Sequence, residues 1–109
     1  MLVSDSSTPI AVPLSLHTPL VAMLGCQYPI ICAGMGGVAR AELAAAVSEA
    51  GGFGCMGMVR ESAQFIRAQI EQYRALSARP FAVNIVPAAT APELLEQQIA
   101  TLIEMKVTA

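Results

Sequence analysis

The sequence predicts an α/β fold in which short apolar strands alternate with helices and lie parallel in one sheet. Three observations support this fold class. Apolar runs begin at Pro29, Phe53 and Phe81, at intervals of roughly 25 residues. Each interval contains apolar residues at helical spacing and is long enough to connect two parallel strands. The runs themselves are continuously apolar, as expected for strands that are covered on both faces.

The first predicted unit contains a short helix, a strand and a longer helix. Residues 18 to 24 have the pattern of a short helix, with Thr18 as its N-cap and Gly25 closing it. The apolar run of residues 29 to 33 predicts strand one. A helical pattern follows over residues 40 to 50, and its expected sheet-facing residues are small or aliphatic: Leu43, Ala46, Val47 and Ala50.

The second predicted unit pairs a short strand, residues 53 to 56, with a long helix. Ser62 stands in the N-cap position of that helix. Apolar residues recur at helical spacing after it and predict one buried face: Phe65, Ile66, Ile70, Tyr73 and Leu76. Because polar residues occupy the positions between them, the opposite face is expected to contact solvent.

The third predicted unit begins with a strand over residues 81 to 86, which Pro87 ends. Thr90 and Glu93 have the spacing of a capping box for the helix that follows. The buried stripe of this helix is expected to contain Leu95, Ile99, Leu102 and Ile103. Residues 107 and 108 predict the opening of a fourth strand.

Residues 1 to 15 contain Ser, Thr and Pro without a period, and are interpreted as a flexible leader before a domain of residues 16 to 109. The domain holds three (β/α) units and the start of a fourth, whereas a closed (β/α)8 barrel needs about 250 residues. It is therefore part of such a barrel or a small open three-stranded sheet. A part barrel exposes strand edges and apolar interior, which predicts self-association or a complementing chain.

Composition excludes several function classes. The chain has 109 residues, of which 55% are apolar, and this supplies ample material for a core. A net charge of −2 and a charged fraction of 13% predict no basic surface for nucleic acid. The first 39 residues lack Lys and Arg, which argues against a secretory or transit peptide. Gly and Pro interrupt the apolar runs before they reach membrane-spanning length, so a cytoplasmic protein is expected.

The cysteines predict neither a disulfide framework nor a metal site. Cys26, Cys32 and Cys55 are odd in number and widely spaced, and the chain has a single histidine. Free cysteine is among the most buried residue types, so we interpret all three as small buried apolar residues.

Two features at predicted strand ends are candidates for ligand binding, because ligands of parallel α/β folds bind where the carboxyl ends of the strands meet. A glycine turn, G-M-G-G at residues 34 to 37, follows strand one and could let a planar ring approach the backbone. The same glycines are also explained by the turn alone. Asn84 is a polar residue in an apolar strand, held either by backbone or by a ligand.

Three pieces of the chain, in order, resemble the FMN-dependent nitronate monooxygenases, formerly called 2-nitropropane dioxygenases. They are YPIICAGMGGVARAELAAAVSEAGGFGCMG, RPFAVNIV and the helix that begins near Pro92. The resemblance covers about residues 16 to 108 and implies the N-terminal part of a TIM barrel. It also implies non-covalent FMN and oxidation of alkyl nitronates with dioxygen. The FMN-dependent enoyl-acyl-carrier-protein reductases share nearly the same opening and are the alternative.

By the same resemblance, four residues are expected to contact the flavin. They are Ala33, Gly34 and Met35 at the end of strand one, and Asn84 at the end of strand three. Many family members have Gln where Cys32 stands, so that polar contact is absent here.

The resemblance places the catalytic histidine and the glycine-rich phosphate loops on later strands, outside these 109 residues. We therefore assign no catalytic residue and no metal ligand, and expect weak or absent FMN binding by the chain alone. Two function classes remain. The chain is a segment of an FMN oxidoreductase whose substrate is a small molecule, or a non-catalytic half barrel that associates with itself or docks on a partner.

Overall fold

The structure is a computed structural model that describes residues 16 to 109, so the predicted leader lies outside the described residues. From Ala41 onward its helices and strands alternate as predicted. The helices and strands are, in chain order, α1 (Pro19–Leu24), α2 (Ala41–Glu49), β1 (Gly54–Gly57), α3 (Ala63–Leu76), β2 (Phe81–Asn84) and α4 (Pro92–Glu104). A single 3₁₀ turn, Pro87–Ala89, stands between β2 and α4. The α/β fold class is confirmed.

The sheet is parallel and follows the chain order. β1 pairs with β2 in a register that runs from Gly54 opposite Phe81 to Gly57 opposite Asn84. We call residues 30 to 36 the leading segment. It lies along the other edge of β1 and makes two parallel bridges to it. The four predicted strand positions thus follow one another as in the wall of a (β/α) barrel, since the Ala109 carbonyl accepts the Val83 N–H of β2 at 3.1 Å.

The leading segment does not form the regular first strand that the sequence predicts. Ile31 bridges Phe53 and Gly36 bridges Gly57, so five steps along this segment match four steps along β1. The extra residue is accommodated by a tight turn, in which the Met35 N–H donates to the Ala33 carbonyl at 2.9 Å. Such a bulge interrupts the hydrogen-bond ladder between the leading segment and β1, and it bends the chain at the carboxyl end of the sheet.

The predicted fourth strand is also not formed within the described residues. The Val107 N–H donates instead to the Leu102 carbonyl at 3.1 Å, and so remains bonded to the end of α4. The predicted third strand is shorter than expected, because Val86 is already the N-cap of the 3₁₀ turn.

Two of the three predicted helix caps are confirmed. Thr18 Oγ1 accepts the Val21 N–H at 3.4 Å, and Ser62 Oγ accepts the Phe65 N–H at 3.0 Å. The predicted capping box of α4 is wrong. The Thr90 hydroxyl donates to the Val86 carbonyl at 2.7 Å, and the N-cap of α4 is the following alanine, which has no side-chain bond.

The buried face of α2 differs from the prediction. Leu43 is 36% exposed, and the residues that face the sheet are Ala41, Ala44, Ala45 and Ser48. The reason is the close approach of helix and strand. A Cβ on Gly54 would overlap the carbonyl oxygen of Ala44, so only small residues fit between them.

The predicted stripe of α4 is wrong at two of its four residues, since Leu95 and Leu102 are partly buried, and the predicted stripe of α3 is largely confirmed. In α4, Ile99 and Ile103 are 43% and 72% exposed, while Gln98 is fully buried because its amide bonds the loop after β1. In α3 the buried residues are Ile66, Ile70 and Tyr73, whereas Leu76 is 52% exposed. Apolar spacing fails for α4 because a polar side chain has specific partners there.

A buried hydroxyl pair joins the helix layer to the sheet. Ser48 Oγ accepts the Gly54 N–H at 3.0 Å and lies 2.8 Å from the Tyr73 hydroxyl. The Tyr73 oxygen is also 2.9 Å from the Arg79 carbonyl, and its ring packs on Phe81 with centroids 4.2 Å apart. This pair fixes α2, α3 and both strand starts to one another.

Replacing Tyr73→Phe is expected to lower the free energy of unfolding by about 1 to 2 kcal/mol, because buried Ser48 and the Arg79 carbonyl lose a partner. Urea unfolding followed by circular dichroism measures the change. Tyr28→Phe, at a half-buried position away from the pair, is the matched control. Equal midpoints for the two variants would contradict the role of the hydroxyl pair.

Candidate functional site

The carboxyl ends of the leading segment, β1 and β2 meet at one edge of the sheet. Asn84 is the last residue of β2 and its side chain is exposed there. A Cβ on Gly34 would overlap the Cβ of Asn84 and lie 2.8 Å from its Cγ. The Asn84 side chain therefore occupies the space that a side chain at position 34 would fill.

Gly57 makes this contact possible, because it stands in β1 between the two partners. A Cβ on Gly57 would lie 2.6 Å from the Met35 carbonyl carbon and 2.8 Å from that of Gly34. Because Gly34 and Gly57 have no side chains, the Asn84 side chain crosses β1 and contacts the leading segment. The result is a surface of backbone with one amide side chain at its border.

The glycine turn after this contact presents exposed backbone. Met35 is 43% exposed, and residues 36 to 38 are exposed as well. Gly37 has a φ of 77°, in the left-handed region that favours glycine. The Met35 carbonyl accepts the N–H groups of Val38 and Ala39, at 3.2 and 2.8 Å, which closes the turn. The turn is thus ordered by its own backbone and leaves its outer surface free.

Arg40 ties this turn to the loop after β1. Its Nη1 donates to the Gly57 carbonyl at 3.1 Å, and its Nη2 pairs with Glu61 Oε1 at 3.1 Å. The guanidinium also stands over the Phe65 ring, 4.7 Å from its centroid. Sequence reasoning missed this residue. The sequence feature that could have identified Arg40 is a cation at the N-cap of α2. The helix dipole disfavours positive charge there, so the side chain needs a partner outside the helix.

The Cys55 thiol in β1 is not activated. Cys55 is buried, and burial raises the pKa of its thiol, with a smaller rise from the charge of Cys32 and a lowering by a backbone hydrogen bond from Asn84. The Cys55 thiol is therefore protonated near neutral pH. Cys26 and Cys32 are only half-buried, so the prediction of three buried cysteines holds for one of them.

The described part of the chain contains no group of three His, Cys, Asp or Glu side chains that could hold a metal ion. Within residues 16 to 109, no helix is long and apolar enough to cross a membrane. The candidate site is the strand-end edge formed by half-buried Gly34 and exposed Met35 and Asn84, which pack over the buried backbone of Gly57.

These features define the chain as part of a (β/α) barrel with a backbone-lined wall at the carboxyl ends of its strands. The structure is similar to that of FabK from Thermotoga maritima, a TIM-barrel enzyme, with a TM-score of 0.77 and 34% sequence identity. The match covers 84% of this chain and 28% of the FabK chain. The sequence pattern of nitronate monooxygenase matches residues 17–107, and the chain belongs to that family.

Curated relatives agree with this assignment. A nitronate monooxygenase of Pseudomonas aeruginosa is 48% identical over 63 residues, which is 58% of this chain and 18% of that protein. A dehydrogenase of Mycobacterium tuberculosis, named for a hydroxy-methyl-oxo-octahydroindene carboxyl-CoA, is 36% identical over 87 residues, or 79% of this chain and 24% of that protein. The chain thus spans about a quarter or less of the length of these relatives.

The structure brings together most of the residues that the sequence singled out. Gly34 and Asn84 are in contact, and Met35 follows directly. Ala33 is exposed at the start of the turn, where its carbonyl already accepts the Met35 N–H. Gly57 is the member that sequence reasoning missed, because the predicted second strand ends at residue 56, whereas β1 includes Gly57. Flavin contact by any of these residues stays a prediction.

Replacing Gly57→Ala is expected to push the leading segment away from β1 and to destabilise the fold by about 1 to 3 kcal/mol. The large backbone amide shifts should fall on Gly34 and Met35 in a proton–nitrogen NMR spectrum. Gly36→Ala is the control, because its Cβ would meet only the flexible Val59 side chain, at 3.0 Å. Equal stability of the two variants, with no shift at residue 34, would contradict the packing described above.

Iodoacetamide is expected to modify Cys55 more slowly than Cys32 in the folded chain, since burial and the raised pKa leave little thiolate at Cys55. Mass spectrometry of timed, quenched samples gives both rates, and urea-unfolded chain is the control in which the rates should converge. The rate at Cys55 should rise as the pH approaches the raised pKa of its thiol. Equal rates in the folded chain near neutral pH would rule out the buried, protonated thiol.

Proposed function

We propose that this chain forms one wall of an FMN site in an oxidoreductase of the nitronate monooxygenase type. The main observation that supports the proposal is the contact between Asn84 and Gly34, which crosses β1 at Gly57, where no side chain intervenes. In the whole protein the substrate class would be alkyl nitronates, oxidised with dioxygen. The family assignment supports an oxidoreductase, and the geometry supports a flat ligand at this edge.

The residues present fit the ring portion of a flavin. A planar ring needs a surface from which side chains are absent, and the exposed glycine turn after Gly34 supplies one, while buried Gly57 lets that turn lie close to β1. Exposed Met35 offers a polarizable side chain at the border of that surface. The Asn84 amide both donates and accepts, which suits the alternating donors and acceptors of a pyrimidine edge. Bound FMN would supply two-electron redox chemistry that amino-acid side chains lack.

The role of the chain's own residues is binding and orientation. The backbone wall would exclude water from one side of a bound ring, and the Asn84 amide would help to orient that ring. No residue of the chain is assigned as a catalytic base. The family resemblance places the phosphate-binding loops elsewhere, so the chain alone is expected to bind a flavin weakly and through its ring. We also propose a cytoplasmic location.

A second candidate is an oxidoreductase that acts on a thioester substrate. The 36% identity with the dehydrogenase of Mycobacterium tuberculosis, named for a carboxyl-CoA compound, favours this reading. The enoyl-acyl-carrier-protein reductase alternative belongs to the same substrate class. The coding sequence on either side of this segment discriminates between the candidates, because a catalytic histidine and phosphate loops of the nitronate monooxygenase type would favour the first.

A third candidate is a non-catalytic half barrel that pairs with a second copy of itself. It is favoured by apolar side chains on the open side of the wall, since Ile31 is 50% exposed and Val86 is 37% exposed. Sedimentation velocity of the purified chain tests it. A concentration-dependent dimer that Ile31→Lys dissociates would support self-association, and a monomer at all concentrations would exclude it.

Riboflavin and FMN are expected to bind the chain with affinities that differ by less than about threefold, because the wall contacts the ring and not the phosphate. Flavin fluorescence and proton–nitrogen NMR titrations measure binding, and the shifted amides should centre on Gly34, Met35 and Asn84. Asn84→Leu should abolish these shifts, while Gln64→Leu, at an exposed position on α3, should leave them unchanged. Titrations without shifts at these residues would contradict the flavin wall.

A further inference from the structure

The geometry points to Gln98 and Arg40 as positioning residues that hold the last residue of β1 and the loop after it, residues 57 to 61, and through this segment set the position of Asn84. We call residues 57 to 61 the β1 loop. The functional meaning of this inference rests on the flavin wall proposed above, but the structural order that it describes can be measured without any ligand.

Gln98 holds the β1 loop from the helix layer. Its side chain is fully buried on α4, and its Nε2 donates to the Met58 carbonyl at 3.2 Å and to the Glu61 carbonyl at 2.9 Å. Its Oε1 has no hydrogen-bond partner among the described residues. Since both facing groups are carbonyls, only the NH₂ side of the amide can point at them, and the orientation is fixed. Burying an unpaired oxygen is unfavourable, so the two donated bonds are what retain an amide here.

Arg40 holds the same loop from the side of the glycine turn. One nitrogen of its guanidinium bonds the Gly57 carbonyl, and another pairs with the Glu61 carboxylate. The planar guanidinium thus bonds the first and last residues of the β1 loop at the same time. A lysine ammonium cannot make both bonds with the same geometry. Gln98 and Arg40 contact the loop from two different elements, and both bond Glu61.

The β1 loop in turn holds Asn84. The Met58 N–H donates to the Asn84 carbonyl at 2.9 Å, which extends the β1–β2 ladder beyond Gly57. The loop also contains Arg60, whose φ of 57° is unusual for a residue with a side chain, and whose Nε donates to the Ala89 carbonyl at 2.7 Å. A backbone in this conformation persists only where its surroundings fix it. The loops after the leading segment, β1 and β2 are therefore joined into one ordered edge.

The test compares amide hydrogen exchange in Gln98→Met and in the unaltered chain. Methionine keeps the volume and removes both donors, so the Met58 and Glu61 amides should exchange about tenfold faster. The Ile66 and Ile70 amides of α3 should keep their rates. Gln97→Met, at the exposed neighbouring position on α4, is the matched control. Unchanged rates at Met58 and Glu61, or a rise of equal size at all four amides, would overturn the inference.

Arg40→Lys is the second variant and keeps the positive charge. It should accelerate exchange at Glu61 and Met58 by severalfold, whereas Arg67→Lys, which alters contacts with Glu104 and Met105 on another face, should not. If Gln98→Met does not fold, the comparison of Arg40→Lys with Arg67→Lys alone tests whether side-chain contacts hold the β1 loop. Identical exchange rates at Met58 and Glu61 in Arg40→Lys and Arg67→Lys would show that Arg40 does not hold the β1 loop.

Riboflavin titration of the same variants separates this inference from the proposed function. Faster exchange in the β1 loop, together with weaker riboflavin shifts at Asn84, supports both. Faster exchange without any riboflavin shift in the unaltered chain supports the positioning role and rejects the flavin wall. Normal exchange with intact riboflavin shifts rejects the positioning role and supports the flavin wall.

Discussion

The candidate site depends on the absence of side chains at two positions in neighbouring segments. Gly57 in β1 lets the backbone of the leading segment come close, and Gly34 leaves the space into which Asn84 projects. A Cβ at either position would collide with backbone or with the amide, so no other residue type permits this arrangement without movement. The leading segment takes an irregular path beside β1, with one more residue than β1 between its two bridges.

The helix layer and the strand starts hold this edge of the sheet in position. Small residues on α2 let that helix approach Gly54, and the buried pair of Ser48 and Tyr73 fixes the helices to the strand starts. With the strand starts held, the positions of the strand ends are set by the register and by the ties that Arg40 and Gln98 make. The core is thus built mainly to hold the helices against the sheet.

The sequence predicted the order of the elements and two candidate residues that meet, Gly34 and Asn84. It could do so because apolar runs, glycine stops and caps such as Ser62 are local signals. It did not predict the bulge, the face of α2 or buried Gln98, because these depend on contacts between distant segments. Hydrophobic spacing assumes that burial follows apolarity, and Gln98 is buried for its hydrogen bonds instead.

The central claim is that Asn84 reaches across β1 to the leading segment. Nuclear Overhauser spectroscopy on isotope-labelled chain tests it directly, through the distance between the Gly34 α-protons and the Asn84 β-protons. The account predicts a strong cross-peak, together with the cross-strand peaks of the β1–β2 ladder. A spectrum that shows the ladder peaks and lacks the Gly34 to Asn84 peak would contradict the account.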